Sequence, residues 1–278
     1  MKELPCYIER KKVNPNPSVI PRNLIQTFKH NVFHEKIYDN VMGILAKNPD
    51  FNYYLITDDI GVALIKEHFD SVVLEAFDNL NVGAAKGDFL RYIAMYVYGG
   101  VYLDMDSTIT ISLSEFIEPN IQHLLFLDGG FNIPQWCFMI APKHPMMLKI
   151  IHEMVRRITR GEDNIFLATG PTLFTDCVFN YMNKSDVYNT GINVSKTDRG
   201  KLFLRNARCL DGLMLYEENL ALNLKEKFRF TFQDYNKDLL YTDEKRYVPT
   251  WGRPTPNLYK KQPPQPQVPQ TRPWTFRV

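Results

Sequence analysis

Two acidic residues, Asp104 and Asp106, flank a single methionine directly after the apolar run Val101-Tyr102-Leu103. That run, β-branched and aromatic, reads as a buried strand. Residues two apart on an extended chain point the same way, so both carboxylates can project into one cleft. The cleft would lie at the carboxyl end of the strand, where open α/β sheets hold their ligands. Neighbouring carboxylates repel unless a proton or a cation intervenes. A hard divalent ion with oxygen ligands relieves that repulsion and can bridge to phosphate oxygens. A solvated turn after a strand is the plain alternative for such a tripeptide.

A second pair of charges, Asp88 and Arg91, precedes the strand. At a spacing of three they share one face of a helix, while Phe89, Leu90, Ile93, Ala94 and Val97 form its apolar stripe. On an exposed face such a pair contributes only ~0.3 kcal/mol. In a cleft, a fixed carboxylate and a planar guanidinium suit sugar hydroxyls. Gly99-Gly100 then stops the helix and permits a tight turn into the strand.

The elements that must carry these residues follow from hydropathy spacing and breakers. Strands are expected over 23–28, 53–57, 72–74, 101–103, 124–127 and 136–141. Helices are expected over 35–47, from an Asp58 N-cap to about 69, over 83–98 and 145–160, and from Thr169-Gly170-Pro171-Thr172 to about 182. Weaker strands fall near 202–204 and 213–216. This alternation predicts an α/β fold, with a mostly parallel central sheet flanked by helices. Residues 1–19 read as a polar N-terminal leader, 20–260 as the domain, and 261–278 as a Pro/Gln-rich extended tail.

Composition narrows the function classes. The 278 residues are 45% apolar and 23% charged with a net charge of +2, which gives no general pull toward nucleic acid. The four cysteines form no CxxC pair and read as reduced. The six histidines have no zinc spacing. No apolar leader and no apolar stretch of spanning length is present, so the expectation is a cytoplasmic protein, in a bacterial or viral-host cytosol, without a membrane span.

The block from Lys86 to Asp106 joins D-x-x-R-Y, Y-G-G and Y-x-D-x-D in one stretch. It closely resembles the sugar-binding DXD region of the Och1-like glycosyltransferases of family 32. The same pattern occurs in capsular polysaccharide transferases and, more distantly, in glucosylating bacterial toxins. Ile20-Pro21-Arg22-Asn23-Leu24-Ile25-Gln26-Thr27-Phe28 resembles the family's opening I-P-K-x-I-x-Q-x-W strand, with Phe28 in place of Trp. Asn48-Pro49-Asp50, Ala141-Pro142-Lys143-His144-Pro145 and Thr169-Gly170-Pro171 match later segments, so the resemblance covers about residues 20 to 180.

The resemblance implies a GT-A type nucleotide-sugar-binding fold and transfer of a hexose from a UDP- or GDP-sugar to a glycan or other hydroxyl acceptor, with retention of anomeric configuration. It implies Mn2+ or Mg2+ held by Asp106, with Asp104 in the metal shell or on the ribose. Asp88 and Arg91 would bind donor-sugar hydroxyls. Tyr102 would line the nucleotide site, and Gln26 and Thr27 would touch the base or ribose. Relatives often add a late His or Trp contact to the phosphates; no His follows His152, and Trp251 is the substitute on offer.

Two alternatives stand beside this reading. Asp104-Met105-Asp106-Ser107-Thr108 also fits the haloacid-dehalogenase pattern, with Asp104 as nucleophile and Asp106 as acid/base. That chemistry needs a late acidic pair, which Gly161-Glu162-Asp163 does not supply. The other alternative is a non-catalytic sugar-nucleotide-binding protein on the same scaffold.

Overall fold

The structure, a computed structural model, describes residues 1–11, 17–109, 112–115, 117, 119–120, 122–125, 133–182, 213–215, 255 and 257–261. In chain order its elements are β1 (Lys2–Glu3), β2 (Tyr7–Ile8), β3 (Asn23–Thr27), β4 (Val32–Phe33), α1 (Glu35–Lys47), β5 (Asn52–Ile56), α2 (Asp58–His68), α3 (Ser71–Asn79), α4 (Gly83–Tyr98), β6 (Gly100–Leu103), β7 (His123–Leu125), β8 (Cys137–Ile140), α5 (Pro145–Thr159), α6 (Ile165–Ala168), α7 (Pro171–Met182) and β9 (Leu213–Leu215).

The main sheet has the order β2-β5-β3-β6-β8-β7-β9. Its centre is parallel, with β3 between β5 and β6. Outside that centre it is mixed. β2 runs antiparallel to β5, and β8 antiparallel to both β6 and β7. Parallel neighbours need a crossover, usually a helix. Between β6 and β8 the described residues form a 3-10 turn at Leu113–Glu115 and β7 but no α-helix, and β8 pairs antiparallel to β6. The expected α/β fold of GT-A type thus holds, but the sheet is mixed rather than mostly parallel: parallel pairing joins β5, β3 and β6 beside the acidic pair, and β7 with β9 at the far edge.

Alternation along these strands fills a core on each face. Ile25, Tyr102 and Phe138 pack with Phe89, Tyr92, Ile150 and Phe174 under α4, α5 and α7. Leu24, Val101, Leu103 and Met139 pack with Ile37, Val41 and Ile44 of α1 on the other side. Residues expected to form a leader take part as well: β1 pairs with β4, β2 extends the sheet beyond β5, and Leu4 is fully buried.

Val72-Val73-Leu74 is helical, not a strand. Three β-branched or apolar residues are too short a window for a period. Val73, Ala76 and Phe77 together make the buried i, i+3, i+4 stripe of α3. Thr57, one residue before the expected Asp58, caps α2, its hydroxyl accepting from the Ile60 N–H at 3.4 Å. The tail beyond Lys261, the strand expected near 202–204 and Trp251 lie outside the described residues.

Gly99 and Gly100 decide how α4 meets the sheet. Their φ angles are +59° and +119°, where side chains are strained. A Cβ on Gly99 would stand 2.4 Å from the Pro142 nitrogen, and one on Gly100 would stand 2.4 Å from the Asn23 carbonyl oxygen. The pair therefore ends the helix and lets β6 start against the backbone of β3 without an intervening loop.

Candidate active site

Direct succession of α4 and β6 brings the expected charges together. Arg91, one helical turn after Asp88, places Nη1 3.0 Å from Asp88 Oδ1. Its Nη2 donates to Asp104 Oδ1 at 2.7 Å. Asp88 and Arg91 are each only 6% exposed, while Asp104 is half-buried. The guanidinium lies 4.5 Å over the Tyr102 ring, a cation–π stack within a buried cluster. Tyr102 OH donates to Asp104 Oδ1 at 2.9 Å and is itself 2.9 Å from the Thr27 hydroxyl. Arg91 thus forms ion pairs with both Asp88 and Asp104, a role the spacing alone assigned to a metal for Asp104.

The acidic pair sits on a turn, not on the strand. β6 ends at Leu103, and the Asp104 carbonyl accepts from the Ser107 N–H at 3.0 Å. The period-two argument for parallel carboxylates therefore does not apply; the turn carries Asp106, also half-buried, past Asp104. The turn is tied down from both neighbouring strands. Asp104 N–H donates to the Trp136 carbonyl at 2.9 Å, and Gln26 Nε2 donates to the Asp104 carbonyl at 3.2 Å.

Gln26 departs from its expected role. It is 0% exposed, and its Oε1 accepts from Tyr53 OH at 3.1 Å, so both ends of its amide are engaged inside the protein. A direct contact to base or ribose would have to break a satisfied buried amide, which costs about 1–3 kcal/mol. Gln26 supports the acidic turn instead. Thr27 and Tyr102 are likewise buried and hold the underside of the Arg91–Asp104 pair.

Three residues of the cluster escaped the sequence reading. Gln135 Nε2 donates to Asp88 Oδ1 at 2.8 Å, and Thr169 Oγ1 donates to Asp88 Oδ2 at 3.1 Å. Tyr92 OH meets Gln135 Oε1 and lies 2.9 Å from the Thr169 carbonyl. Thr169 had a signal, the T-G-P tripeptide. Gln135 had none.

Burial pushes the Asp88 carboxyl up to about 7, although Arg91 pulls it down and Asp104 raises it further. An acid whose folded value lies above its ordinary 3.8 binds more protons in the native state. Its contribution to stability is therefore full near pH 4 and is lost as the pH rises toward 7. The slope is at most about 1.4 kcal/mol per pH unit. Asp88→Asn should remove this component. Urea melts at pH 5 and pH 6 should show wild type losing more stability than the variant; equal losses would contradict it.

His123 and His144 touch at 3.1 Å, and burial lowers them to about 3 and about 4. His123 registers with Ile140, opposite Gly100 at the start of β6, so this neutral pair belongs to the other end of the sheet. Among the described residues no group of three or more His, Cys, Asp or Glu gathers around a possible metal position, and no helix is long and apolar enough to cross a membrane.

Residues 35–123 match the family described as glycosyltransferase sugar-binding region containing DXD motif. The match includes Asp88, Arg91, Asp104 and Asp106. The chain is 28% identical over 142 residues to mannosyl phosphorylinositol ceramide synthase SUR1 of Saccharomyces cerevisiae, covering 50% of this chain and 36% of that one. It is 25% identical over 205 residues to the initiation-specific alpha-1,6-mannosyltransferase of Candida albicans, covering 59% and 53%. A glycosyltransferase of Acanthamoeba polyphaga mimivirus, L373, is 28% identical over 134 residues, covering 48% and 53%. The chain thus spans between about a third and about half of the length of these relatives. Among solved structures, the PaToxG glycosyltransferase superposes with a TM-score of 0.51 at 15% identity, covering 76% of this chain and 89% of that one, which is a likeness of fold.

Proposed function

We propose that this chain, which carries the DXD sugar-binding region of the Och1-like glycosyltransferases, moves a hexose from a nucleoside-diphosphate sugar to a hydroxyl acceptor. The observation that carries the reading is the Arg91 guanidinium, buried between Asp88 and Asp104 at the carboxyl end of a parallel sheet centre. The mannosyl chemistry in the relatives' names makes a mannosyl donor the first to test. A glycan acceptor and retention of anomeric configuration are part of the proposal. The domain carrying the activity is taken as residues 20–260.

The residues fit a hard divalent ion such as Mn2+ or Mg2+. Such ions are commonly held by one or two carboxylates, with substrate phosphates and water completing the shell. Asp106 would be the principal ligand, with the Asp104 Oδ2 oxygen beside it, since Oδ1 is taken by Arg91 and Tyr102. When bound, the ion supplies Lewis-acid stabilisation of the charge that develops on the departing diphosphate.

The chain's own residues do the rest. Arg91 carries further N–H groups on Nη1 and Nη2, while its Nε–H is buried and has no partner among the described residues. Locked between two carboxylates, it cannot swing, so a sugar hydroxyl accepting from it is fixed against the reacting carbon. Asp88 offers a carboxylate oxygen to a neighbouring hydroxyl. Burial of both groups makes these polar contacts stronger than they would be in water.

Against a phosphohydrolase reading, Asp104 is held by a guanidinium and a phenol, which is poor preparation for nucleophilic attack. Release of nucleoside diphosphate from UDP- and GDP-sugars, with and without Mn2+, separates the readings. Slow, metal-dependent hydrolysis of one sugar nucleotide is expected, with a phosphomonoester left intact. A saturating donor should also stabilise the fold, by about 2.7 kcal/mol at one hundred times its dissociation constant. Cleavage of the phosphomonoester alone, or no response to any sugar nucleotide, would overturn the proposal.

A further inference from the structure

Asp88 is held from a part of the chain remote in sequence as well as by its helix neighbour. Gln135, just before β8, donates to Oδ1, and Thr169, just after α6, donates to Oδ2. Both holders are buried and are themselves held. Tyr92 OH reaches Gln135 Oε1 and the Thr169 carbonyl, and the Thr169 N–H donates to the Ile165 carbonyl at 3.0 Å.

A carboxylate has about four lone-pair positions. On Oδ1 Gln135 Nε2 donates, with the Arg91 guanidinium 3.0 Å away as an ion pair; on Oδ2 Thr169 donates. Among the described residues, one acceptor position on Oδ2 has no donor. An amide and a hydroxyl are neutral donors, so they fix the plane of the carboxylate without cancelling its charge. A second cation would fix it too, but would weaken it as an acceptor.

We propose that Gln135 and Thr169 are positioning residues that orient Asp88 so that the acceptor position on Oδ2 receives a hydroxyl of the donor sugar. They thereby set affinity for the sugar half of the donor and leave the nucleotide half untouched. This rests on reading the cluster as a donor-sugar site.

The test is a comparison of two ligands on the full chain with Mn2+ present: the sugar nucleotide that the wild type binds, and the corresponding free nucleoside diphosphate. Gln135→Met keeps the side-chain length and removes the donor; Thr169→Val keeps the branched shape and removes the hydroxyl. By calorimetry each variant should bind the sugar nucleotide about tenfold more weakly and the nucleoside diphosphate within twofold of wild type. A role in folding alone would not separate the two ligands. Equal loss for both, or no loss for the sugar nucleotide, overturns the proposal. Should Gln135→Met fail to fold, Thr169→Val is read by the same criterion. If the wild type binds no sugar nucleotide, the functional reading falls and this inference with it; a wild type that binds, with variants that bind equally well, removes this inference alone.

Discussion

Arg91→Met should lower stability by about 3–5 kcal/mol, the usual cost of removing one partner from a buried charge pair. The guanidinium is 6% exposed and lies between two carboxylates, so its loss leaves Asp88 uncompensated and removes the ion partner of Asp104. Protonation of Asp88, already pushed up to about 7, would absorb part of the cost and make the loss smaller in acid. Transfer should fall by at least about 100-fold, near 3 kcal/mol in transition-state terms. Arg91→Lys should recover part of the stability but little of the transfer. A single ammonium supplies charge, whereas the planar fork reaches Asp88 with one nitrogen and Asp104 with the other. Denaturant melts and nucleoside diphosphate release read the two effects separately. Stability within about 1 kcal/mol of wild type would contradict the buried bridge.

The second large effect is expected at Asp106. Asp104 Oδ1 is committed to Arg91 and Tyr102, which leaves Asp106 as the principal ligand in this reading. Asp106→Ala should reduce transfer by about 100-fold or more. A chelator should do the same to the wild type, and added Mn2+ should restore it. Asp104→Ala should lose stability as well as activity, since it strips Arg91 of an ion pair. Undiminished turnover in chelator would remove the metal from the mechanism.

What the sequence reveals and what it hides divides along physical lines. Helix α4 was legible because sixteen residues display a full periodic stripe and end in two glycines. The meeting of Asp88, Arg91 and Asp104 was legible because it is built within one stretch of chain. The antiparallel insertion of β8 between β6 and β7 was not, since strand direction depends on what lies between strands. α3 was misread because three apolar residues carry no period. Gln26 was placed on the base or ribose by the resemblance of its strand to the family's opening strand; its burial is set by Tyr53 and the acidic turn, which no local pattern shows. Gln135 is an ordinary polar residue until a distant helix folds over it.

The abrupt Gly99-Gly100 junction has a consequence for assembly. Asp88, Arg91 and Asp104 come from one short contiguous span, so their pairing closes only a small loop and carries little chain-entropy cost. The charged centre can form early, as a portable cassette of one helix and one strand. The residues that aim it arrive later and from afar, so a transplanted cassette would bring the charges to a new scaffold without the grip that selects what they hold.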